Sequence, residues 1–244
     1  MNLIIDIGNT RTKLAFFQKN TLIEKANFDT LTLDALSAKV RGQNIEGVIL
    51  SVSGQDTEGV DTWLSDNFYF IKLNHETPLP IKNQYETPQT LGKDRLAAAV
   101  AAHYLFPNTT SLVIDGGTAL TYNMSDKGSF LGGNIAPGLV MRLKALHHFT
   151  AKLPLVARNN EGFDAQNIIG KNTEQAILNG VQLGILAEIE GIVARFSRHY
   201  DALQVIITGG DGVFLKDNLN INNIIYEPNL VLIGLNQILN HNLH

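Results

Sequence analysis

Short apolar runs bounded by Gly, Pro, Asn or Asp recur along the whole chain, and three of them end alike. Residues 2–7, 111–115 and 203–208 are nearly unbroken apolar runs of strand length, the pattern of strands buried on both faces. Each stops in a turn rich in glycine that carries an acidic or hydroxyl side chain. The three turns are Asp6-Ile7-Gly8-Asn9-Thr10, Asp115-Gly116-Gly117-Thr118 and Thr208-Gly209-Gly210-Asp211-Gly212. Residues 12–17 read as the hairpin partner of the first strand, and 118–124 as that of the second. Further strands are expected at 46–52 and 70–73, and 128–133 reads as a hairpin-like stretch. Helical spacing falls at 31–40, 63–68, 138–148 and 230–239. An Ala-rich helix opens at Gly92-Lys93-Asp94-Arg95 and stops before Pro107. A long helix is expected from Asn172, a suitable N-cap with Gln175 three residues on, to about Tyr200. Pro78, Pro80 and Pro88 make 74–91 loop, and 152–170 reads as irregular.

Strands alternating with helices point to an α/β protein, and the recurrence of the strand–Asp–Gly turn points to two related halves. Residues 1–109 form the first half in this reading and 110–244 the second, packed across a cleft. At 244 residues, with 44% hydrophobic and 17% charged positions, the chain can bury a sizeable core. A net charge of −4 without a Lys/Arg cluster argues against nucleic acid as the principal partner. No cysteine is present, so disulfides and thiolate metal sites are excluded. No basic leader precedes the first apolar run, which itself contains Asp6, so no signal peptide is expected. No apolar stretch is read as reaching the roughly 20 residues of a membrane span. A soluble, cytoplasmic protein is the expectation.

Glycines in the turns let backbone N–H groups approach an anion, and an Asp at a strand end can face a cation. In the first turn, Gly8, Asn9 and Thr10 form the bend. Arg11 and Thr12 follow, and Lys13 returns within reach of a phosphate. Asp6 would hold Mg²⁺ directly or through water. An ordinary Asn/Gly hairpin turn is the alternative for that segment alone. The second turn repeats the device, with Thr118 as a donor and Asp115 facing a cation. A pair of such turns would bracket a polyphosphate and points to phosphoryl transfer, with the third turn near a nucleoside. Neither the P-loop pattern nor the dinucleotide fingerprint is present. Arg95 could clamp a carboxylate or phosphate, and Asp94 either accepts a hydroxyl proton or caps the helix. Gly180, Gly184 and Gly191 within the long helix imply a close approach, either inside the molecule or at a subunit interface. His147 with His148, and His241 with His244, read as solvated surface rather than as metal ligands.

Taken together, these residues resemble the type III pantothenate kinases over essentially the full length. The resemblance rests on Asp6-x-Gly8-Asn9-Thr10, Tyr85 with Pro88, Gly92-x-Asp94-Arg95, Asp115-Gly116-Gly117-Thr118-Ala119, Gly133-x-Ile135-x-Pro137-Gly138 and Asn172-Thr173, in the family's order. It implies two ribonuclease-H-like lobes of the actin-like ATPase superfamily around a nucleotide cleft. It also implies ATP-dependent phosphorylation of pantothenate to 4′-phosphopantothenate, the first step of coenzyme A biosynthesis. Residues 6–13 and Thr118 would contact ATP phosphates. Tyr85, Gly92, Lys93, Asp94, Arg95 and Thr173 would line the pantothenate site, with Asp94 as the base. Mg²⁺ would accompany ATP, and a monovalent cation, K⁺ or NH₄⁺, would sit near Asp115. A homodimer is implied, some members completing the substrate pocket across the interface. Gly116 stands where the family often has a larger residue. The competing readings are a kinase acting on another small alcohol and a non-catalytic, nucleotide-binding regulatory protein of the same fold.

Overall fold

The computed structural model describes residues 1–54, 59–159, 163–164, 166 and 168–243. His244 lies outside them, as does part of the stretch expected to be irregular at 152–170. In chain order the elements are β1 (Asn2–Ile7), β2 (Thr12–Gln18), β3 (Thr21–Phe28), α1 (Leu33–Val40), β4 (Gly47–Val52), α2 (Val60–Asn67), β5 (Phe70–Lys72), β6 (Lys82–Asn83) and α3 (Lys93–Leu105). There follow β7 (Thr110–Gly116), β8 (Ala119–Asp126), β9 (Ser129–Pro137), α4 (Leu139–His148), α5 (Thr173–Phe196), β10 (Gln204–Thr208), α6 (Gly212–Asn218), β11 (Ile225–Tyr226) and α7 (Leu230–Leu243). They fall into two compact units. The first contains Met1–Asn108, Ser125–Leu131 and Asn229–His244; the second contains Thr109–Met124 and Gly132–Pro228.

In the first unit the sheet order is β3-β2-β1-β4-β5. β1 pairs antiparallel with β2 and parallel with β4, so it lies in the middle of the sheet. All six residues of β1 are buried, Asn2 and Asp6 included, as befits a largely apolar central strand. Side chains alternate along it. Leu3, Ile5 and Ile7 pack with Leu36, Val40, Val60 and Leu64 of α1 and α2. Asn2, Ile4 and Asp6 share the other face, which α7 covers, because Asn2 Nδ2 donates to Asn236 Oδ1 at 2.8 Å. Arg95 to Ala102 are buried throughout, and from Leu96 to Ala102 this stretch of α3 is apolar all round, as a core segment is. α7 reaches its backbone at Gly234, where any Cβ would run into the Ala97 carbonyl. The last helix therefore counts with the first unit, whereas the sequence reading assigned it to a second half beginning at 110.

β3 was not expected. Its residues are half or fully exposed at every position, so no apolar period marks it, and it pairs with β2 by backbone alone. The 74–91 loop adds two-residue β6, which pairs with Ser129 and Phe130, and a 3-10 turn over Pro88–Thr90.

In the second unit β7, β8 and β9 run side by side, with β10 parallel to β7 and β11 parallel to β10. The order β9-β8-β7-β10-β11 repeats that of the first unit. β9 extends to Pro137, further than the hairpin-like stretch expected at 128–133. α6 is a short helix read from sequence only as part of a turn. α5 is capped as expected: Asn172 accepts from Gln175 N at 2.9 Å, and Gln175 Oε1 accepts from Lys171 N at 3.1 Å. One face of α5, including Ile177, Val181, Ile185, Ile189 and Val193, is buried in this unit. By length and composition α5 could cross a membrane, which corrects the expectation that no stretch was long enough. Its Glu188 is tied within the unit, accepting from Tyr122 Oη at 2.9 Å and pairing with Arg142 at 2.5 Å. Gly180, Gly184 and Gly191 lie on the exposed face. A Cβ on any of them would meet nothing within 4 Å among the described residues, so no close approach within those residues explains them.

Candidate functional site

Strand pairing sets the first cluster. Asp6 ends β1 with Lys13 of β2 directly opposite on one side and Ser51 of β4 on the other. The turn between the hairpin strands is tight, with Gly8 N donating to Arg11 O at 3.1 Å, and Asn9, Thr10 and Arg11 are exposed at its tip. Thr12 is buried at the return. The chain leaving β4 is drawn onto this turn, because Ser53 N and Gly54 N both donate to Ile7 O. Asp6 is only 7% exposed, and burial raises its carboxyl pKa from 3.8 to about 6. Lys13 opposes that rise, the negative charge of Asp94 adds to it, and the neighbouring Ser51 hydroxyl opposes it. Asp94 thus stands within electrostatic reach of Asp6, although 88 positions separate them in sequence.

The start of α3 shows how Asp94 arrives there. The N-cap position is Gly92, which offers no side chain, and Asp94 lies inside the first turn. Its Oδ1 accepts from Arg95 N at 2.9 Å. Asp94 therefore does not occupy the N-cap position that the alternative sequence reading gave it. Lys93 Nζ donates to Val52 O at 3.1 Å, which fastens this turn to the end of β4. Arg95 turns inward, 5% exposed, with its guanidinium 5.6 Å from the Tyr85 ring and 5.9 Å from the Phe130 ring. Those distances are in the range of cation–π attraction. Tyr85 and Phe130 are themselves 6.1 Å apart and tilted. Among the sequence-predicted residues, the first unit thus gathers Asp6, Lys13 and Asp94, and beside Asp94 it gathers Tyr85 and Arg95.

Two buried neighbours were missed from sequence. Phe130 lies 35 residues beyond Arg95 in β9, with no local pattern that ties it to Arg95. Ser51 reads as the end of an ordinary strand; only its register with Asp6 marks it.

In the second unit β7 and β10 bring the other two turns together, with Asp115 opposite Thr208. Asp211 N donates to Gly116 O at 2.8 Å. Gly209 has φ +91°, and a Cβ there would collide with Asp115 Oδ1. The smallness of Gly116 also has a cause, because a Cβ would stand 2.8 Å from Leu215 Cδ1. Asp211 is buried and paired with Arg158; burial raises its carboxyl pKa and Arg158 opposes that rise. Thr118 is exposed at the turn between β7 and β8, and Thr173 is exposed at the first residue of α5.

The donor set fits an oxygen-seeking cation beside Asp6. Asp6 Oδ1 is buried with no hydrogen-bond partner. Among the described residues no group of three or more His, Asp or Glu could enclose a metal, so most of the coordination would come from water and phosphate, the usual habit of Mg²⁺ with nucleotides.

Comparison with known proteins gives these features a context. A family model described as type III pantothenate kinase matches residues 2–195. The chain is similar to the type III pantothenate kinases of Bacteroides fragilis (45% identity, 99% of this chain and 98% of the relative) and Phocaeicola vulgatus (43%, 99% of each). Among solved structures it resembles a ROK hexokinase from Thermus thermophilus (TM-score 0.54, 14% identity, 99% of each chain). It also resembles a ROK family glucokinase from Streptomyces griseus in complex with glucose and AMPPNP (TM-score 0.56, 11% identity, 98% and 99%). These structures share the actin-like ATPase fold, which the repeated strand order of this chain carries twice.

Proposed function

This chain belongs to the type III pantothenate kinase family, and from that premise we propose how its residues divide the transfer of a phosphoryl group from ATP to the alcohol of pantothenate. The observation that carries the assignment is the meeting of Asp94 with Asp6 in one electrostatic cluster. Two carboxylates whose charges oppose each other are not a stabilising arrangement, and such clusters mark functional sites. Asp94 is the base: its Oδ1 is steadied by Arg95 N, and its other oxygen takes the proton from the 4′-hydroxyl. Asp6 is the carboxylate toward which Mg²⁺ would be held. When bound with ATP, Mg²⁺ supplies charge neutralisation on the phosphate oxygens.

The turn Ile7-Gly8-Asn9-Thr10-Arg11-Thr12 and Lys13 contacts the phosphates, and Thr118 is a further phosphate contact. Tyr85, Gly92, Lys93, Arg95 and Thr173 contact pantothenate. Arg95 pairs with its carboxylate, its guanidinium lying within cation–π distance of the two aromatic rings. Because the transition state of phosphoryl transfer is loose, positioning and charge matter more here than the strength of the base. Asp115 takes a monovalent cation, K⁺ or NH₄⁺. The protein acts in the cytoplasm as a homodimer, with the exposed glycine face of α5 and exposed Val140, Met141 and Phe149 as its contact. Nucleic acid and membrane are not partners.

The comparisons favour catalysis over the regulatory reading, since the relatives over the whole chain carry the kinase name. The test is ADP release from purified protein with ATP and Mg²⁺, with and without pantothenate, each with and without K⁺. Release that depends on pantothenate is expected, and stimulation by K⁺ supports the cation at Asp115. Release indifferent to pantothenate overturns the substrate.

A further inference from the structure

At the adjoining ends of β1 and β4 lie three buried side-chain oxygens without a well-formed hydrogen bond: Asp6 Oδ1, Ser51 Oγ and Ser53 Oγ. Ser51 is fully buried and stands beside Asp6 in the parallel ladder, close enough for its hydroxyl to favour the Asp6 carboxylate. Ser53 lies in the bend just beyond β4, and its N donates to Ile7 O, which fixes that residue against the end of β1. Buried polar atoms nearly always have partners, so three without a regular one beside the phosphate turn point to a polar ligand.

We propose that Ser51 and Ser53 join Asp6 in seating the water shell of the divalent cation that accompanies ATP. The inference rests on the assignment of Asp6 to that cation. Magnesium gives up its waters reluctantly and is bound largely through them. A water held by a cation is a strong donor and needs acceptors, and two hydroxyl oxygens beside one carboxylate oxygen supply them. Each serine here acts through water, so they are positioning residues rather than direct ligands. The chemistry selects a small hard cation that keeps its waters; a large one that sheds them would gain little from these hydroxyls.

The experiment uses the full chain and its Ser51→Ala and Ser53→Ala variants, titrated with Mn²⁺ in the presence of a non-hydrolysable ATP analogue and followed by electron paramagnetic resonance. Thermal unfolding without metal runs in parallel. Loss of an outer-shell partner weakens metal binding about tenfold or more, and that is the expected fall for either variant. Metal-free Ser53→Ala should melt no lower than the parent, because an unsatisfied hydroxyl has been removed. Unchanged Mn²⁺ affinity in both variants overturns the proposal and leaves the ATP site standing. A metal-free Ser53→Ala variant that melts well below the parent also overturns it, because the hydroxyl is then structural. If the unmodified protein binds the analogue with no dependence on Mn²⁺, the assignment of Asp6 falls together with this inference.

Discussion

Lys93 Nζ donates to the Val52 carbonyl at 3.1 Å, joining the first turn of α3 to the last residue of β4. α3 carries Asp94 and Arg95, and β4 carries Ser51 beside Asp6, so this one bond sets the reach between two halves of the cluster. Lys93→Met keeps the aliphatic stem and loses the donor. It should cost about 1 kcal/mol of stability, toward the low end for a bond to a charged group since the side chain is half-exposed, and should lower kcat more than it raises KM for ATP. Urea unfolding and steady-state kinetics would check both. Full kcat in a destabilised variant would reduce the bond to a structural tie.

Asp94→Asn preserves size and can still accept from Arg95 N, but it cannot take up a proton. Turnover should fall by at least about a hundredfold, the lower end for a positioned acid–base group, with the unfolding midpoint kept. Near-normal turnover would leave Asp94 with a structural duty only.

The Asp6 carboxyl titrates at about 6 in the folded protein against 3.8 as the ordinary value. Between those values the folded chain holds a proton that the unfolded chain has lost, so this group's contribution to stability falls as pH rises through the window. Above about pH 6 the whole cost is present, roughly 3 kcal/mol at 1.36 kcal/mol per unit. Metal-free Asp6→Asn should therefore be more stable than the parent at neutral pH, with the gap closing below about pH 4. A gap independent of pH, measured by denaturant melts across that range, would contradict the burial cause. The same substitution should abolish most Mg²⁺-dependent turnover.

Arg95 is gripped by two rings and presents a planar guanidinium. Lys in its place keeps the charge but loses the flat stacking and the forked donors. Arg95→Lys should raise KM for pantothenate severalfold and leave KM for ATP nearly unchanged. Equal effects on both substrates would show that the stack supports the whole unit instead.

A Cβ added at Gly184 meets nothing within 4 Å among the described residues. Gly184→Glu should therefore fold normally, and if the α5 face is the dimer contact it should sediment as a monomer. A dimer of unchanged stability would place the contact elsewhere.

Sequence patterns of two kinds were legible. Central strands such as β1 and β7 have apolar centres because both faces are covered, and the α5 cap is written in Asn172 and Gln175 themselves. β3 was hidden because an exposed edge strand has backbone pairing and no buried side-chain period. The site divides the same way. Asp6, Asp94 and Arg95 were visible as local motifs, because a glycine turn or a helix start constrains neighbours in sequence. Phe130 beneath Arg95 and Ser51 beside Asp6 depend on pairings between distant segments, β6 with β9 and β1 with β4, which no local pattern carries. The cap reading of Asp94 failed for a specific reason: the helix begins two residues earlier than an Asp cap would need, with Gly92 at the N-cap.

The packing of α7 on α3, backbone to backbone at Gly234, has a consequence for the folding rate. The first unit draws its members from stretches before residue 109 and after residue 228, so its core closes only when distant segments meet. Pairings of such long sequence separation form slowly, so the covering of Ala97 and its neighbours by α7 is expected to be a late step on the way to the native state.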